Sequence, residues 1–302
     1  MMKPIVAIVG PTAVGKTTLS LALAHRYGGE IISADAMQFY RGFDIGTAKL
    51  PVSDREGVSH HLIDILDPEA DFSAAEYQTM VRGAIDDLRN RGVLPILVGG
   101  SGLYIRSVLY DYRFEGEKRN RRSTEFYEQL SNGELFEILK TKDPDAAAIN
   151  HPNNRKRIIR LLELAEATGT QRSETADRLY YPDALPVGLY APREELVRRI
   201  DERVDAMLQR GLIEEVRTLY DRNIRGQALA AIGYKELYSF FDGKCTLESA
   251  VEAIKIASHR YAKRQMTWFR NQMNVQWFES DLANFSRTLS DVTAFLDPHL
   301  GK

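Results

Sequence analysis

The most constraining feature of the sequence is an apolar run that leads directly into a glycine-containing loop near the amino terminus. Ile5–Val9 is unbroken apolar sequence, as expected of a strand buried on both faces of a parallel sheet. The next residues, 10–17, match the pattern G-x-x-x-x-G-K-[ST]. A helix with Leu19 and Leu23 on one face follows them. A strand, a loop of this type and a helix predict the start of an α/β core.

Strands and helices alternate through the first hundred residues. Residues 30–33 and 93–98 predict two further strands. Between them, apolar spacing predicts an amphipathic helix that begins with a capping box of Ser73 and Glu76 and ends at Gly92. We therefore predict an α/β fold, a P-loop core in which a parallel sheet is flanked by helices.

The pattern changes near residue 111. Residues 113–183 show short helical patterns, broken at Gly133, Pro144 and Pro152, and no convincing strand. We predict an inserted all-helical domain there, and assign 1–112 and 184–302 to the core. In the second part of the core, the sequence predicts strands at 187–190 and 275–278 and a long helix over about 247–270.

Composition excludes several classes of protein. Forty Lys and Arg against 42 Asp and Glu give a net charge of −2, unlike a histone-like polycation. The single cysteine, Cys245, excludes an internal disulfide framework and a cysteine-rich zinc site. Ile5–Val9, the longest early apolar run, is too short for a signal peptide or a membrane span. We expect a soluble, cytoplasmic protein with no membrane partner.

The loop at 10–17 has the residues that bind phosphate oxygens. Its glycines allow successive backbone N–H groups to turn inward, and the start of the following helix adds positive potential. Lys16 supplies a mobile cation, and the Thr17 hydroxyl is a ligand for Mg²⁺. The loop predicts a bound di- or triphosphate without identifying it.

A carboxylate follows the second predicted strand, where open α/β sheets bind ligands. Asp35 there can hold Mg²⁺ through water or act as a general base, although a solvated loop aspartate is an equal alternative. The strand at 93–98 ends in Gly99 and Gly100 and lacks the metal-binding aspartate of typical P-loop ATPases; Asp64 is the nearest substitute. A P-loop small-molecule kinase fits the loop and Asp35 as well as other enzymes do.

Basic side chains cluster in two helical segments of this net acidic chain. They are Arg155, Lys156, Arg157 and Arg160 in the predicted insertion, and Arg260, Lys263, Arg264 and Arg270 near the carboxyl end. A charged helix face is often merely solvated, but two all-basic faces favour a polyanionic partner.

Seven blocks of sequence together resemble one family. They are residues 10–17, 33–40 (SADAMQFY), 44–49 (DIGTAK), 60–64 (HHLID), 98–104 (VGGSGLY), 231–236 (AIGYKE) and 261–270 (YAKRQMTWFR). In this order they resemble the bacterial tRNA dimethylallyltransferase (tRNA isopentenyltransferase) family over about residues 4–280. That family transfers a dimethylallyl group from dimethylallyl diphosphate to N6 of adenosine 37 in tRNA. The loop would then hold a prenyl diphosphate, which explains the missing ATPase aspartate.

The resemblance implies partners and a cofactor. These are dimethylallyl diphosphate, the anticodon stem-loop of tRNA gripped by the insertion, and Mg²⁺. Separately from the resemblance, we expect the protein to be a monomer. The resemblance also implies catalytic roles for Asp35, as the base that takes the N6 proton, and for Ser101, which stands where the family usually has threonine. Ala36 replaces the usual serine and removes one hydroxyl beside the base.

The remaining roles implied by the resemblance concern binding. Diphosphate would be bound by Gly10, Pro11, Thr12, Ala13, Val14, Gly15, Lys16, Thr17, Arg193 and Arg199, and the metal by Thr17. The tRNA would be bound by Asp35, Ala36, Met37, Gln38, Ser101, Ser123, Lys156, Arg157, Ile158, Ile159, Arg160, Ala230, Ala231, Ile232, Gly233, Tyr234 and Lys235.

Overall fold

The structure, a computed structural model, describes residues 3–114, 121–168 and 175–301. Its strands are β1 (Ile5–Val9), β2 (Gly29–Ser33), β3 (His60–His61), β4 (Leu94–Val98), β5 (Tyr110–Tyr112), β6 (Thr175–Leu179), β7 (Ala184–Tyr190) and β8 (Gln276–Glu279). Six of them form one sheet in the order β3-β2-β4-β1-β7-β8, and each pair in it is parallel. The predicted α/β fold with a parallel sheet is confirmed.

Helices flank this sheet and build the rest of the described chain. They are α1 (Lys16–Tyr27), α2 (Ala74–Asn90), α3 (Gly102–Leu109), α4 (Arg121–Gln129), α5 (Asn132–Lys142), α6 (Pro144–Ile149), α7 (Arg155–Thr168), α8 (Arg193–Gln209), α9 (Leu212–Asp221), α10 (Tyr234–Phe241), α11 (Leu247–Gln272) and α12 (Phe285–Leu300). The capping box of Ser73 and Glu76 at the start of α2 is confirmed. Among the described residues, none of these helices combines the length and apolar character needed to cross a membrane.

The sheet brings three loops to one edge. Strand β1 is central and fully buried, between β4 and β7. Because parallel strands end at the same edge, the loops after β1, β2 and β4 meet there. Gly99 permits the closest approach, since a Cβ atom at this position would lie 2.2 Å from the Ala34 carbonyl oxygen. A side chain at residue 99 would push these two loops apart.

The chain divides into two compact units. One comprises residues 1–109 and 179–302 and contains the six-stranded sheet, and the other comprises Tyr110–Arg178. The second unit has its own apolar core, which includes Tyr127, Leu135 and Leu162. The expectation that residues 113–183 contain no strand was wrong, because β5 and β6 pair as a two-stranded sheet. The sequence of β6, TADRL, lacks an apolar alternation, so its strand conformation depends on pairing and not on local propensity.

Candidate active site

Two cavities adjoin the edge of the sheet where the three loops meet. The first, of about 400 Å³, is lined by residues 12–17 and by residues that follow β2 and β4. The second has a volume of about 280 Å³. Five residues line both cavities: Thr12, Asp35, Thr47, Arg203 and Tyr261. These residues therefore stand where the two cavities adjoin.

The loop between β1 and α1 is shaped to present backbone N–H groups. Ala13 and Gly15 adopt left-handed conformations, with φ of 64° and 92°. Gly15 is the N-cap residue of α1, and it has no side chain that could accept hydrogen bonds from the first N–H groups of the helix. These N–H groups are therefore available to an external anion. Lys16 Nζ donates hydrogen bonds to the carbonyl oxygens of Gly10 (3.0 Å) and Pro11 (2.6 Å).

Two half-buried cations, Lys16 and Arg203, face the first cavity. Burial, and next the charge of Arg203, lower the pKa of Lys16 to about 7. Burial also lowers the pKa of Arg203. Within the described residues, neither side chain forms an ion pair with a carboxylate. Because charges withdrawn from water are normally compensated, two half-buried cations at one cavity indicate an anion site. Sequence reasoning missed Arg203, which the fold brings to the loop from α8.

Asp35 is the carboxylate whose charge acts on both cations, since it raises the pKa of Lys16 and that of Arg203. Burial raises its pKa, opposed by the Met37 N–H that donates to Oδ1 (3.0 Å) and by the charges of Lys16 and Arg203. A carboxylate with a raised pKa is a stronger base at neutral pH than a solvated one. Asp35 is half-buried and lines both cavities, so it differs from the fully solvated loop aspartate of the alternative interpretation.

Gln265 of α11 links the loop to the turn after β4. Its Oε1 accepts from the Thr12 N–H (2.9 Å), and its Nε2 donates to the Gly100 carbonyl (3.0 Å). Tyr261, one turn earlier, lines both cavities, and burial raises its pKa to about 12. The sequence analysis used the block at 261–270 for a basic face and for the family resemblance, but assigned no role to Tyr261 or Gln265.

The second cavity is largely apolar. Its apolar lining residues are Ala36, Met37, Ile200, Val204, Met207, Leu212, Ala230, Ala231, Ile232 and Ile254. Ser101, Lys235 and Arg264 add polar groups. Ser101 Oγ accepts from the Ala36 N–H at 3.4 Å. The fold thus brings segment 230–235 to the residues that follow β2.

Glu215 of α9, also missed from the sequence, holds the loop at 44–46. Its carboxylate accepts hydrogen bonds from the N–H groups of Asp44 (3.0 Å), Ile45 (2.7 Å) and Gly46 (3.1 Å). It also accepts from the Tyr234 hydroxyl at 2.6 Å. Tyr234, predicted to bind tRNA as part of segment 230–235, is fully buried and lines neither cavity, so its side chain has a structural contact instead.

The predicted diphosphate ligands are only partly brought together. Residues 12–17 and Arg199 line the first cavity. Gly10 and Pro11 line neither cavity and instead accept the Lys16 hydrogen bonds. Arg193 is exposed in the first turn of α8 and lines neither cavity, so the structure does not bring it to the site.

The predicted tRNA-binding residues of the second unit lie on α4 and α7. Lys156 and Arg157 are exposed, whereas Ile158 and Ile159 are buried in the core of that unit. These two isoleucines occupy the apolar face of α7, so their side chains are not available for the tRNA binding predicted for this segment. Ser123 is half-buried and hydrogen-bonded to Glu166.

Two arginines of α7 already have partners in their own unit. Arg155 donates to the carbonyl oxygens of Leu130 (2.6 Å) and Glu128 (2.8 Å), so its guanidinium is tied to the end of α4. Arg160 lies 3.4 Å from the carboxylate of Glu163. The basic face predicted for α7 is thus reduced mainly to Lys156 and Arg157.

Comparison with curated proteins finds relatives of nearly the same length. A tRNA dimethylallyltransferase of Anoxybacillus flavithermus is 50% identical over 98% of this chain and 97% of the relative. One from Bacillus subtilis is 52% identical over 92% of this chain and 91% of the relative.

Solved structures show the same likeness. A tRNA isopentenylpyrophosphate transferase of Bacillus halodurans matches with a TM-score of 0.75 and 44% identity, over 99% of this chain and 97% of that one. A eukaryotic dimethylallyltransferase acting on tRNA matches with a TM-score of 0.85 and 31% identity, over 98% of this chain and 79% of that one. A protein-family model described as IPP transferase matches residues 38–272. The chain belongs to the IPP transferase family.

Proposed function

We propose that this protein transfers a dimethylallyl group from dimethylallyl diphosphate to N6 of adenosine 37 in tRNA and releases diphosphate. The observation that carries the proposal is that the half-buried cations Lys16 and Arg203 line the first cavity together with the half-buried carboxyl of Asp35, which also lines the second. An anion site beside a base suits a displacement in which diphosphate departs and a proton is removed. The relatives' names, tRNA dimethylallyltransferases, support tRNA as the acceptor and dimethylallyl as the group transferred.

The diphosphate would occupy the first cavity. The amides of the loop, Lys16, Arg199 and Arg203 would stabilise the negative charge that develops as it departs. Mg²⁺ fits this site, because the exposed Thr17 hydroxyl lines the cavity and Mg²⁺ prefers a few protein oxygens together with phosphate oxygens and water. When bound, the metal would add positive charge beside the leaving group.

The target adenine would approach Asp35 from the second cavity. Its exocyclic amine is a poor nucleophile, since its lone pair is delocalised into the ring, and a proton must leave as the C–N bond forms. Asp35 would accept that proton. The nucleotide must leave its stack to reach a half-buried carboxylate in the wall of a cavity, so we expect adenosine 37 to be flipped out. Ser101 and Gln38 would contact it.

The rest of the tRNA would be bound through phosphate contacts. We infer that the anticodon stem-loop is the region bound, that the protein acts as a monomer, and that it works in the cytoplasm. Lys156 and Arg157 in the second unit and the exposed Arg260 and Lys263 of α11 are the candidate phosphate contacts.

One experiment separates the transferase from the kinase alternative, which the comparisons do not support. The protein is incubated with dimethylallyl diphosphate labelled in the prenyl group, ATP labelled in the γ-phosphate and unmodified tRNA. We expect the prenyl label to enter tRNA at adenosine 37 and the phosphate label to stay in ATP. Transfer of the phosphate label to a small molecule, with unlabelled tRNA, would favour a kinase.

The salt dependence of tRNA binding tests the basic residues of α7. Each phosphate contact that releases counterions contributes about −0.7 to −0.9 to the slope of log K against log salt. Replacing Lys156 and Arg157 together by alanine should flatten the slope by about one to two. It should raise the KM for tRNA and leave that for dimethylallyl diphosphate unchanged. Filter binding over a salt series measures the slope.

The matched control is Lys140→Ala. It removes a positive charge from the same unit, but one already paired with Glu137 at 2.6 Å. We expect its slope to equal that of the wild type. If the double variant also retains the wild-type slope, Lys156 and Arg157 are only solvated.

The depressed pKa of Lys16 makes diphosphate binding pH-dependent. A bound diphosphate favours the protonated amine and raises its pKa above the value of about 7 in the free protein. Affinity for inorganic diphosphate is therefore fully present below pH 7 and falls as pH rises, by up to about tenfold per pH unit. Calorimetric titration at several pH values above 7 measures the slope.

The control for this slope is Lys16→Met, because diphosphate itself titrates in the same range. The variant should bind diphosphate more weakly, show a shallower pH dependence than the wild type, and keep nearly normal affinity for tRNA. Parallel pH slopes in the two proteins, or a large loss of tRNA affinity, would contradict the role of Lys16.

A further inference from the structure

The residue after β8 contacts the loop at 10–17. Ser280 is 3% exposed, and its Oγ donates a hydrogen bond to the Val14 carbonyl at 2.8 Å. The Ser280 N–H donates to the carbonyl of Tyr190 at the end of β7 (2.7 Å), which anchors the serine to the sheet. The sequence analysis assigned no role to Ser280, and it lies beyond residues 38–272 matched by the family model.

The backbone around Ser280 is held on both sides by one hydroxyl of α12. Thr288 Oγ1 accepts from the Asp281 N–H at 2.8 Å and donates to the Glu279 carbonyl at 3.2 Å. Thr288 is fully buried. The peptide groups before and after Ser280 are therefore fixed, and its side chain is presented to the loop from a rigid support.

A second contact comes from Phe285, at the start of α12. A Cβ atom on Gly15 would lie 2.7 Å from Phe285 Cε2 and 3.5 Å from Ser280 Oγ. The ring and the hydroxyl together occupy the space that a side chain at residue 15 would take. Gly15 also has a φ of 92°, which favours glycine. The 14–15 peptide is thus held from the side of α12.

The orientation of that peptide decides what the loop offers an anion. In a planar trans peptide the C=O and the following N–H point in opposite directions. Because Ser280 binds the Val14 C=O, the Gly15 N–H points away from Ser280, and Gly15 lines the first cavity. Rotation of this peptide would turn a carbonyl oxygen toward a bound anion. Because the glycine backbone is flexible, such a rotation costs little free energy. The hydrogen bond from Ser280 opposes it.

We propose that Ser280 is a positioning residue for the diphosphate, acting by holding the 14–15 peptide with its N–H toward the first cavity. The inference rests on the proposed function, because it requires a diphosphate on the loop. The N–H contact with the diphosphate is present both before and during the transfer. Loss of Ser280 should therefore weaken binding of the donor and leave the affinity for tRNA unchanged.

The test is Ser280→Ala in the full-length chain. We expect the Kd of inorganic diphosphate and the KM of dimethylallyl diphosphate each to rise about tenfold, the effect of losing one hydrogen bond. The kcat at saturating substrates and the Kd of tRNA should stay at the wild-type values. Ser280→Cys keeps the size of the side chain with a weaker donor, and should give an intermediate Kd.

Ser107→Ala is the matched control. Ser107 is also fully buried, donates to a backbone carbonyl, that of Tyr104, at 2.7 Å, and lines neither cavity. It should lower the Tm to a similar extent while keeping diphosphate affinity. The proposal is overturned if Ser280→Ala binds diphosphate as the wild type does, or if both alanine variants weaken it equally. Failure of the wild type to bind diphosphate would instead overturn the proposed function, and this inference with it.

Discussion

Replacing Asp35 by asparagine is expected to lower kcat for prenyl transfer by about 10²–10⁴-fold, with tRNA affinity close to that of the wild type. Asparagine keeps the shape of the side chain, and its carbonyl oxygen can still accept the Met37 N–H. It cannot take a proton from the N6 amine. Single-turnover rates with labelled donor, together with filter binding of tRNA, measure the two quantities separately.

The pH profile gives a second readout for Asp35. Burial raises the pKa of this carboxyl, so the wild-type rate should increase with pH as the group ionises and then level off. The asparagine variant should lack this rise of the rate with pH, the acid limb of the profile. Asp67→Asn is the control, since Asp67 is an exposed aspartate paired with Arg41 and lines neither cavity. Near-normal kcat in Asp35→Asn would refute the role of base, and loss of tRNA binding alone would assign Asp35 to positioning.

The parts of the site that the sequence predicted correctly are local in the chain. The strand β1, its loop and α1 follow from one continuous stretch, in which apolar residues, glycines at fixed spacing and helical periodicity all favour the same structure. Asp35 follows β2 directly, and the edge rule for parallel sheets places it near the loop. Local pattern and sheet topology were sufficient there.

The missed residues come from distant parts of the chain. Gln265 binds the Thr12 N–H across 253 residues of sequence. No local pattern indicates that a glutamine of α11 meets a loop after β1, because the contact depends on how the long helix packs. Glu215 binds the loop at 44–46 for the same reason. Such polar contacts need the tertiary structure.

Helix α8 shows why one arginine was predicted instead of another. Arg199 and Arg203 are four residues apart and therefore share a helix face, and both line the first cavity. Arg193 lies in the first turn, is exposed, and lines neither cavity. The spacing was readable in the sequence, but it does not say which face of α8 meets the loop. On α7 the same limitation concealed that Ile158 and Ile159 are core residues.

Replacing Arg203 by glutamine is therefore expected to have a large effect, although the sequence analysis passed over this residue. The change removes a half-buried positive charge from the cavity proposed for diphosphate and keeps a hydrogen-bonding side chain. We expect kcat/KM for dimethylallyl diphosphate to fall by about 10²–10³-fold, as for loss of one preorganised donor to a developing anion. Steady-state kinetics at saturating tRNA measures it.

The electrostatic role of Arg203 adds a pH effect that lost packing alone does not produce. Its charge lowers the pKa of Asp35, so in Arg203→Gln the acid limb of the kcat profile should move to higher pH. The control is Arg198→Gln on the same helix, because Arg198 is exposed and paired with Glu195 and Glu202 at the surface. It should retain both kcat/KM and the position of the limb. An Arg203→Gln enzyme with weakened kcat/KM but an unshifted limb would show that this guanidinium acts on the donor without influencing the base.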